Sequence, residues 1–528
     1  MKRFERLSAF LETSSGVTSS VKTIKRFIKT ISGFGYDRLY LGMADSYKIE
    51  GEPYFGYKRG GYTVAELAEI DAYAKRKKIE VVPQIQLLGH LHYLKKYPIY
   101  EPLFDTNDSL IVGDERVYAL IDKMIKTISE GLSSRTVHIG LDETFGLGTG
   151  NYLKNHEPRD RKELILTHVE KVSGILEKYG YSSVEMWGDM LLDEKSSVPL
   201  SEVKRRLPKN SSVIVWNYEE KDEGKLGKLI SDAKKVTEEP AFAGGVWKYL
   251  GFGPNNAFSI DCLLKQLETC EKNGVKNFIV TLWSDNVAPC SAFAALPSLY
   301  VVSEFAYGRI NGLSELNKDK FALCAGISYD DLYSLEYLDN PFKEDCVTRS
   351  SSSVWVLYSD ILLGNFDTLV PPEAEKAYLS LNEKYSSLSG GVYGYIFKMC
   401  AALTETLALR AHIPAETRSA YLSADKEAMK AVAEKIKALK KSLKRFLGKF
   451  EEYFLHDNKA FGVEVYHSRL GEQIARCDYA VKKLNAFISR GEKIEELEGG
   501  VQPLLYDPMP TISCSIMTDP RLLVSYCI

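Results

Sequence analysis

The sequence predicts a (β/α)8 barrel followed by an all-α C-terminal domain. Three observations carry that reading. Over the first 308 residues, eight short β-rich runs alternate with amphipathic stretches. Past Gly308 strand-like runs become rare and a helical period takes over. The polar and aromatic residues that stand out fall at the C-terminal ends of the β-rich runs, where barrels of this kind place their chemistry. A doubly wound sheet is the alternative that strand–helix alternation also allows.

The eight runs are Arg3 to Leu11, Asp37 to Met43, Ile79 to Gln86, Thr136 to Leu141, Val184 to Asp189, Ser212 to Tyr218, Phe242 to Trp247 and Asn277 to Trp283. After the first, Ile24, Phe27, Ile28 and Ile31 share a helical face by i, i+3, i+4, i+7 spacing. Leu67, Ile70 and Ala74 do so after the second, where Thr63 and Glu66 read as a capping box. The barrel is placed at 1–308 and the helical domain at 309–500. That domain holds a long amphipathic helix, Asp425 to Phe454, whose lysines read as a solvated face, and a second helix through "SRLGEQIARCDYAVKKLNAFI". Apolar faces on such helices are compatible with a homodimer. Arg469 either reaches a neighbouring site or caps its helix. The tail, 501–528, has several prolines and no clear period.

Composition narrows the classes. The chain has 528 residues, 45% hydrophobic and 26% charged, with a net charge of −3. That balance gives no electrostatic reason to expect nucleic acid or an acidic membrane surface. No apolar run reaches the roughly 18 residues a membrane helix needs, and the first residues lack the apolar stretch of a signal peptide. The nine cysteines form no C-x-x-C pair. The odd count suits a reducing cytoplasm better than a disulfide framework.

The strand ends supply Asp45 after the second run, Gln84, Gln86 and His90 after the third, and adjacent Asp142 and Glu143 after the fourth. They continue with Trp187 and Asp189, Trp216 and Tyr218, Trp247, and finally Trp283 and Asp285. Four of the five tryptophans end strands. One such residue reads as core. Four at equivalent positions read as the aromatic walls of a sugar pocket, with carboxylates for the hydroxyls. A metal site is disfavoured, because His138 and Asp142 lie about 13 Å apart along a strand. His138 reads instead as a buried partner. Adjacent carboxylates also fit poorly with a retaining glycosidase, whose two carboxyls flank the scissile bond about 5–5.5 Å apart. Both can face the pocket only if the backbone leaves strand geometry at "GLGTG". Either the nucleophile comes from another strand or the substrate supplies it.

At these residues a resemblance becomes visible. "HIGLDE" matches the H-x-G-x-[DE]-E motif of glycoside hydrolase family 20, the β-N-acetylhexosaminidases. "GYKRGGYTVAELAEIDAYAKRKKIEVVPQIQLLGHL", "VEMWGDM", "VIVWNY" and "FIVTLWSD" follow in that family's order and spacing. The chain looks most like the shorter branch, which begins with the barrel and ends in a helical domain. The resemblance implies an exo-acting enzyme on terminal β-GlcNAc or β-GalNAc, with no cofactor and no metal. Its nucleophile is the substrate's own 2-acetamido oxygen, which forms an oxazolinium ion. Glu143 would then be acid and base, Asp142 would orient the acetamido group, and Tyr218 would hold its oxygen. Trp187, Trp216 and Trp283 would wall the pocket. Asp285 would bind distal hydroxyls of the ring, His90 and Asp45 would contact the sugar or support groups that do, and Trp247 would contact the sugar or the aglycone. The chain departs from that branch at Ala44, where glutamate is frequent, and at Asp285, where the family often has glutamate. Two other readings stay open: a retaining glycosidase with Asp189 or Asp285 as nucleophile, and a glycan-binding protein on a hydrolase scaffold.

Overall fold

The computed structural model describes residues 2–342, 351–364 and 366–500; the expected tail, 501–528, lies outside them. Eight parallel strands close into a barrel in sequence order. They are β1 (Arg6–Glu12), β2 (Arg38–Gly42), β3 (Glu80–Gln84), β4 (Thr136–His138), β5 (Ser183–Trp187), β6 (Ser211–Trp216), β7 (Ala241–Gly245) and β8 (Asn277–Leu282). The ring closes where Arg6 to Leu11 of β1 pair with Asn277 to Leu282 of β8. Parallel neighbours need a crossover, and helices supply it after every strand. All eight expected runs are strands. The largest shortfall at a C-terminal end is β4, which ends at His138 rather than Leu141.

The helices follow from the patterns that predict them. Ile24, Phe27, Ile28 and Ile31 are all buried on the helix Val21–Phe34, which Ser20 caps by accepting from the Thr23 amide. Thr63 and Glu66 form the expected capping box at the start of Val64–Arg76. Inside the barrel, Phe10, Tyr40, Val82, Trp187, Ile214, Ala241, Ala243 and Ile279 form one packed cluster, with Trp216 and Trp283 packed against it.

The chain divides into two compact units that interleave in sequence. The barrel unit comprises Met1–Val246, Ser259–Trp283 and Ser298–Asn317. The other comprises Trp247–Phe258, Ser284–Pro297 and the chain from Lys318 onward. The loops that leave β7 and β8 are therefore part of the helical unit. Within that unit, Phe252 packs on Phe446 and Phe450, and the Tyr453 hydroxyl donates to the Pro289 carbonyl. The expected long helix is Lys426–Asp457, capped by Asp425, and it packs against Val463–Arg490. Arg469 donates to the Asn286 carbonyl and lies over the Tyr466 ring.

Candidate active site

The adjacent acids sit where β4 gives way to a turn. Three of four consecutive residues there have left-handed backbone: Gly140 at φ +77°, Leu141 at +83° and Glu143 at +54°. A left-handed leucine is a strained residue, of the kind that collects at functional sites. Gly140 has no alternative, because a Cβ would collide with the Gln86 side chain. This turn resolves the geometric problem of two neighbouring carboxylates, since the period-2 alternation of a strand no longer separates them. A further carboxylate shapes the loop beyond. Asp105 accepts the amides of Gly148 (2.6 Å), Gly150 (3.1 Å) and Tyr152 (2.7 Å).

Asp142 is held from the β3 side. Gln86 Nε2 donates to its Oδ1 at 3.2 Å, and His90 Nε2 lies 3.2 Å from its Oδ2. His90, itself left-handed at φ +55°, stands among three carboxylates. Its amide donates to Asp108 Oδ2 at 2.9 Å, and its Nε2 is 3.8 Å from Glu143 Oε2. Burial disfavours its charge, yet Asp142, Asp108 and Glu143 raise its pKa to about 10, so it is an imidazolium. Asp142 is its counterpart. Burial pushes its carboxyl up, but the His90 charge and the His90 and Gln86 hydrogen bonds outweigh that and leave it below the usual range.

Glu143 moves the other way. Burial raises its carboxyl and Asp142 adds to the rise, against His90. The two neighbouring carboxyls are thus pushed in opposite directions, Asp142 toward its ionised form and Glu143 toward its protonated form. The Glu143 amide donates to Asp189 Oδ2 at 2.9 Å and so fixes the acid's backbone from the β5 side. Asp189 itself is raised to about 6, by burial and then by Asp142. His138 lies beneath the pair, neutral because burial lowers it to about 3. It accepts the Gly140 amide through Nδ1 at 3.1 Å and packs on Trp187 with centroids 4.5 Å apart.

The aromatic wall is continuous. Trp283 Nε1 donates to the Tyr218 hydroxyl at 3.0 Å, and Tyr218 stacks on Trp216 with centroids 5.3 Å apart. Trp283 packs on Phe10 and Trp187 at 4.6 and 6.0 Å. A Cβ at Gly245 would lie 2.8 Å from the Tyr218 ring, so glycine there makes room for the tyrosine. Trp187 is only 1% exposed and belongs to the floor rather than the rim. Buried polar atoms with no protein partner gather around this floor: Gln84 Nε2, Gln86 Oε1, His138 Nε2, Trp187 Nε1 and Asp189 Oδ1. Such groups are costly unless something polar meets them.

The remaining expected residues are placed differently. Asp45 is buried in an ion pair with Arg59, whose Nε lies 2.8 Å from its Oδ2, and the Arg59 guanidinium lies over the Tyr93 ring at 3.6 Å. Trp247 packs on Tyr249 and Phe258 within the helical unit, and Asp285 is an exposed residue of the same unit. Their expected sugar contacts rest on sequence position alone. Sequence reasoning did not find Arg59, Asp105 or Asp108. Asp105 and Asp108 lie before the helix Glu115–Gly131 in a stretch without period, and only the high density of Asp, Asn, Thr and Ser in "DTNDS" marks it as a structured loop.

Fold and site together define a (β/α)8 barrel with adjacent carboxylates and an aromatic wall at the C-terminal ends of its strands. Residues 19–236 match the catalytic domain of glycosyl hydrolase family 20, and residues 330–515 match the glycoside hydrolase 20C C-terminal domain. The chain belongs to glycoside hydrolase family 20. Among curated relatives it is similar to hexosaminidase D of Bos taurus, 25% identical over 212 residues, covering 38% of this chain and 60% of the relative. Homo sapiens hexosaminidase D is 24% identical over 212 residues, covering 38% and 43%. The chain thus spans about three fifths or less of the length of these relatives. Among solved structures, a Vibrio harveyi exo-β-N-acetylglucosaminidase superposes with a TM-score of 0.47 at 15% identity, covering 63% of this chain and 58% of that one. A β-N-acetylhexosaminidase from Bacteroides fragilis gives 0.46 at 16% identity, covering 59% and 68%.

Proposed function

We propose that this protein is an exo-acting β-N-acetylhexosaminidase that releases terminal β-GlcNAc or β-GalNAc with retention, by substrate-assisted catalysis. The observation that carries the reading is the opposite shift of two adjacent carboxyls, Asp142 down and Glu143 up, on one left-handed turn. In the first step the acetamido carbonyl oxygen attacks the anomeric carbon. The bond to the leaving oxygen breaks, and Glu143 gives that oxygen its proton. Ionised Asp142 accepts from the acetamido N–H and stabilises the positive charge that develops on the oxazolinium ion. The Tyr218 hydroxyl, which already accepts from Trp283, donates to the acetamido oxygen. In the second step water attacks the anomeric carbon, Glu143 takes its proton, and the acetamido group is restored. His90 keeps Asp142 charged, and Asp45 acts through Arg59. Trp187, Trp216 and Trp283 enclose the sugar.

Family membership, the printed names of the relatives and the polarity of the carboxyl pair support this reading. Among the described residues, no helix is long and apolar enough to cross a membrane. A cytoplasmic location and a homodimer through apolar helical faces complete the proposal and rest on the sequence.

The test is a panel of nitrophenyl glycosides with and without the 2-acetamido group, on wild type and Asp142→Asn. The mechanism predicts turnover only of 2-acetamido sugars, and a loss in Asp142→Asn of about 10²–10³-fold in kcat, the size expected for one preorganised charge-stabilising group. Equal turnover of sugars lacking the acetamido group, or a covalent adduct of Asp189 with a fluorosugar, would replace the substrate nucleophile by an enzymic one.

A further inference from the structure

The barrel unit exposes few large apolar side chains, and they are unevenly placed. Tyr54 (45% exposed), Tyr57 (47%), Ile99 (58%), Phe145 (65%), Leu153 and Leu313 make up the set among the described residues of that unit. All but Leu313 lie on the loops that leave β2, β3 and β4. Those are three neighbouring strands, and they are the ones that deliver Asp45, His90 and the Asp142–Glu143 pair. Scattered single apolar residues need no explanation, but a set drawn almost wholly from the loops of three neighbouring strands does.

The group is built rather than loose. Tyr54 stacks on Tyr97 with centroids 5.2 Å apart and planes at 26°. Tyr57 stands edge-on to both, at 6.1 and 6.3 Å. Lys58 and Lys96 lie over the Tyr57 and Tyr97 rings. The tyrosine loop is anchored by Glu52, which accepts from the Tyr100 hydroxyl at 2.9 Å and from Lys123 at 2.6 Å. Phe145 is fixed from two sides. Its amide donates to the Glu143 carbonyl at 2.7 Å, and its own carbonyl accepts from Arg161 at 2.6 Å. Aromatic rings flanked by hydroxyl and ammonium groups suit the alternation of C–H faces and hydroxyls on a pyranose.

Position selects which sugar. Glu143 has to reach the oxygen of the bond that breaks, so whatever that oxygen carries leaves past the open side of Glu143. Phe145 follows Glu143 by two residues, and both are exposed while Thr144 between them is buried. The tyrosines stand one loop further on. Tyr97 follows Tyr93 by four residues, and Tyr93 packs on His92, which in turn is bound to Asp108 beside His90.

We propose that Phe145, Tyr54, Tyr57 and Tyr97 form a stacking platform for the glycan on the leaving-group side of the cleaved bond, making this an enzyme for oligosaccharides rather than for short glycosides. The inference rests on the proposed function and adds the part of the substrate that the acid pair does not touch.

The experiment compares kcat/KM on nitrophenyl N-acetylglucosaminide with that on β-1,4-linked N-acetylglucosamine oligomers of two to five units. It uses wild type, Tyr54→Ala/Tyr97→Ala, Phe145→Ala and Tyr97→Phe. Wild type is expected to gain with each of the first added units. The ratio of oligomer to nitrophenyl activity should fall roughly 3- to 10-fold per ring removed, the value of an aromatic contact, and through KM. Tyr97→Phe should keep the ratio. Tyr54 and Phe145 are exposed and Tyr97 is half-buried, so circular dichroism of the variants should match wild type, and their nitrophenyl activity reports that the acid pair is assembled. A wild type indifferent to chain length, or alanine variants with an unchanged ratio, overturns the platform. Absence of nitrophenyl activity in wild type would instead overturn the proposed function.

Discussion

Toward the N-terminal end of the barrel, Arg38 bonds Glu80 at 2.7 Å, Glu185 at 3.1 Å and the Tyr40 hydroxyl at 3.1 Å. Asn277 also donates to Tyr40 and accepts from Ser8. At the opposite end His90 lies 3.2 Å from Asp142 and 3.8 Å from Glu143, yet Ala44, His90, Leu141 and Glu143 all have left-handed backbone. Gln84, Gln86, His138, Trp187 and Asp189 each leave a buried polar atom unmet. At the N-terminal end one oxygen of Glu185 is the comparable exception. Both ends bury charge in the same barrel. One resolves it by mutual pairing on regular strand, the other keeps strain and unspent hydrogen bonds in reserve for something that arrives later. The contrast is that between an end that serves stability and an end that serves chemistry.

Separating activity from stability sharpens that comparison. The largest expected effect is at the acid. Glu143→Gln should lower kcat on a 2-acetamido nitrophenyl glycoside about 10²–10⁴-fold, the range for a general acid–base group. Thermal unfolding should stay close to wild type, since the side chain is about half exposed. Steady-state kinetics beside calorimetry reads both. The mirror image is Arg38→Met, which strands Glu185 in the interior. It should lower stability by roughly 3–5 kcal/mol, as removal of one partner of a buried pair does, while kcat per folded molecule stays within about twofold of wild type, a factor worth about 0.4 kcal/mol. If Arg38→Met removes turnover without touching stability, the division between the ends fails.

The smallest effect concerns pH. His90 is raised in the folded protein from 6.5 to about 10. Its contribution to stability is therefore complete below pH about 6.5, declines as pH rises, and is gone above about 10. Asp142 is shifted down, so its share is present above the ordinary carboxylate value of 3.8 and is lost as pH falls through its depressed pKa. Urea midpoints of wild type and His90→Gln, taken across that interval, should converge toward pH 10. A constant gap would mean that His90 is not charged through contact with Asp142.

Much of this could be read from the sequence, and the parts that could not share a cause. The eight strands and the capped helices rest on short-range periodicity, and they are present to within a few residues. The adjacency of Asp142 and Glu143 was legible as a demand that the chain leave strand geometry there. What was not legible was how early it leaves, at His138, where the Gln86 side chain from just beyond β3 leaves no room for a Cβ at Gly140. Asp105 is the same kind of case: it organises a loop more than forty residues away. Arg59 completes Asp45 from a loop with no period. Trp247 and Asp285 carried the right residue types at strand ends, but their loops are compact with the helical unit. Local pattern places elements, whereas the partner of a buried charge is chosen by the fold.

Phe10 and Trp283 meet at 4.6 Å, and they come from the first and last strands of the ring. The carboxylate half of the site is drawn from the loops after β3 and β4, so it is made before the later strands. The aromatic half is complete only when the final strand returns to the beginning. A nascent chain thus acquires its acids long before the aromatic wall beside them. The tryptophan that closes the wall is also the residue that certifies a closed barrel.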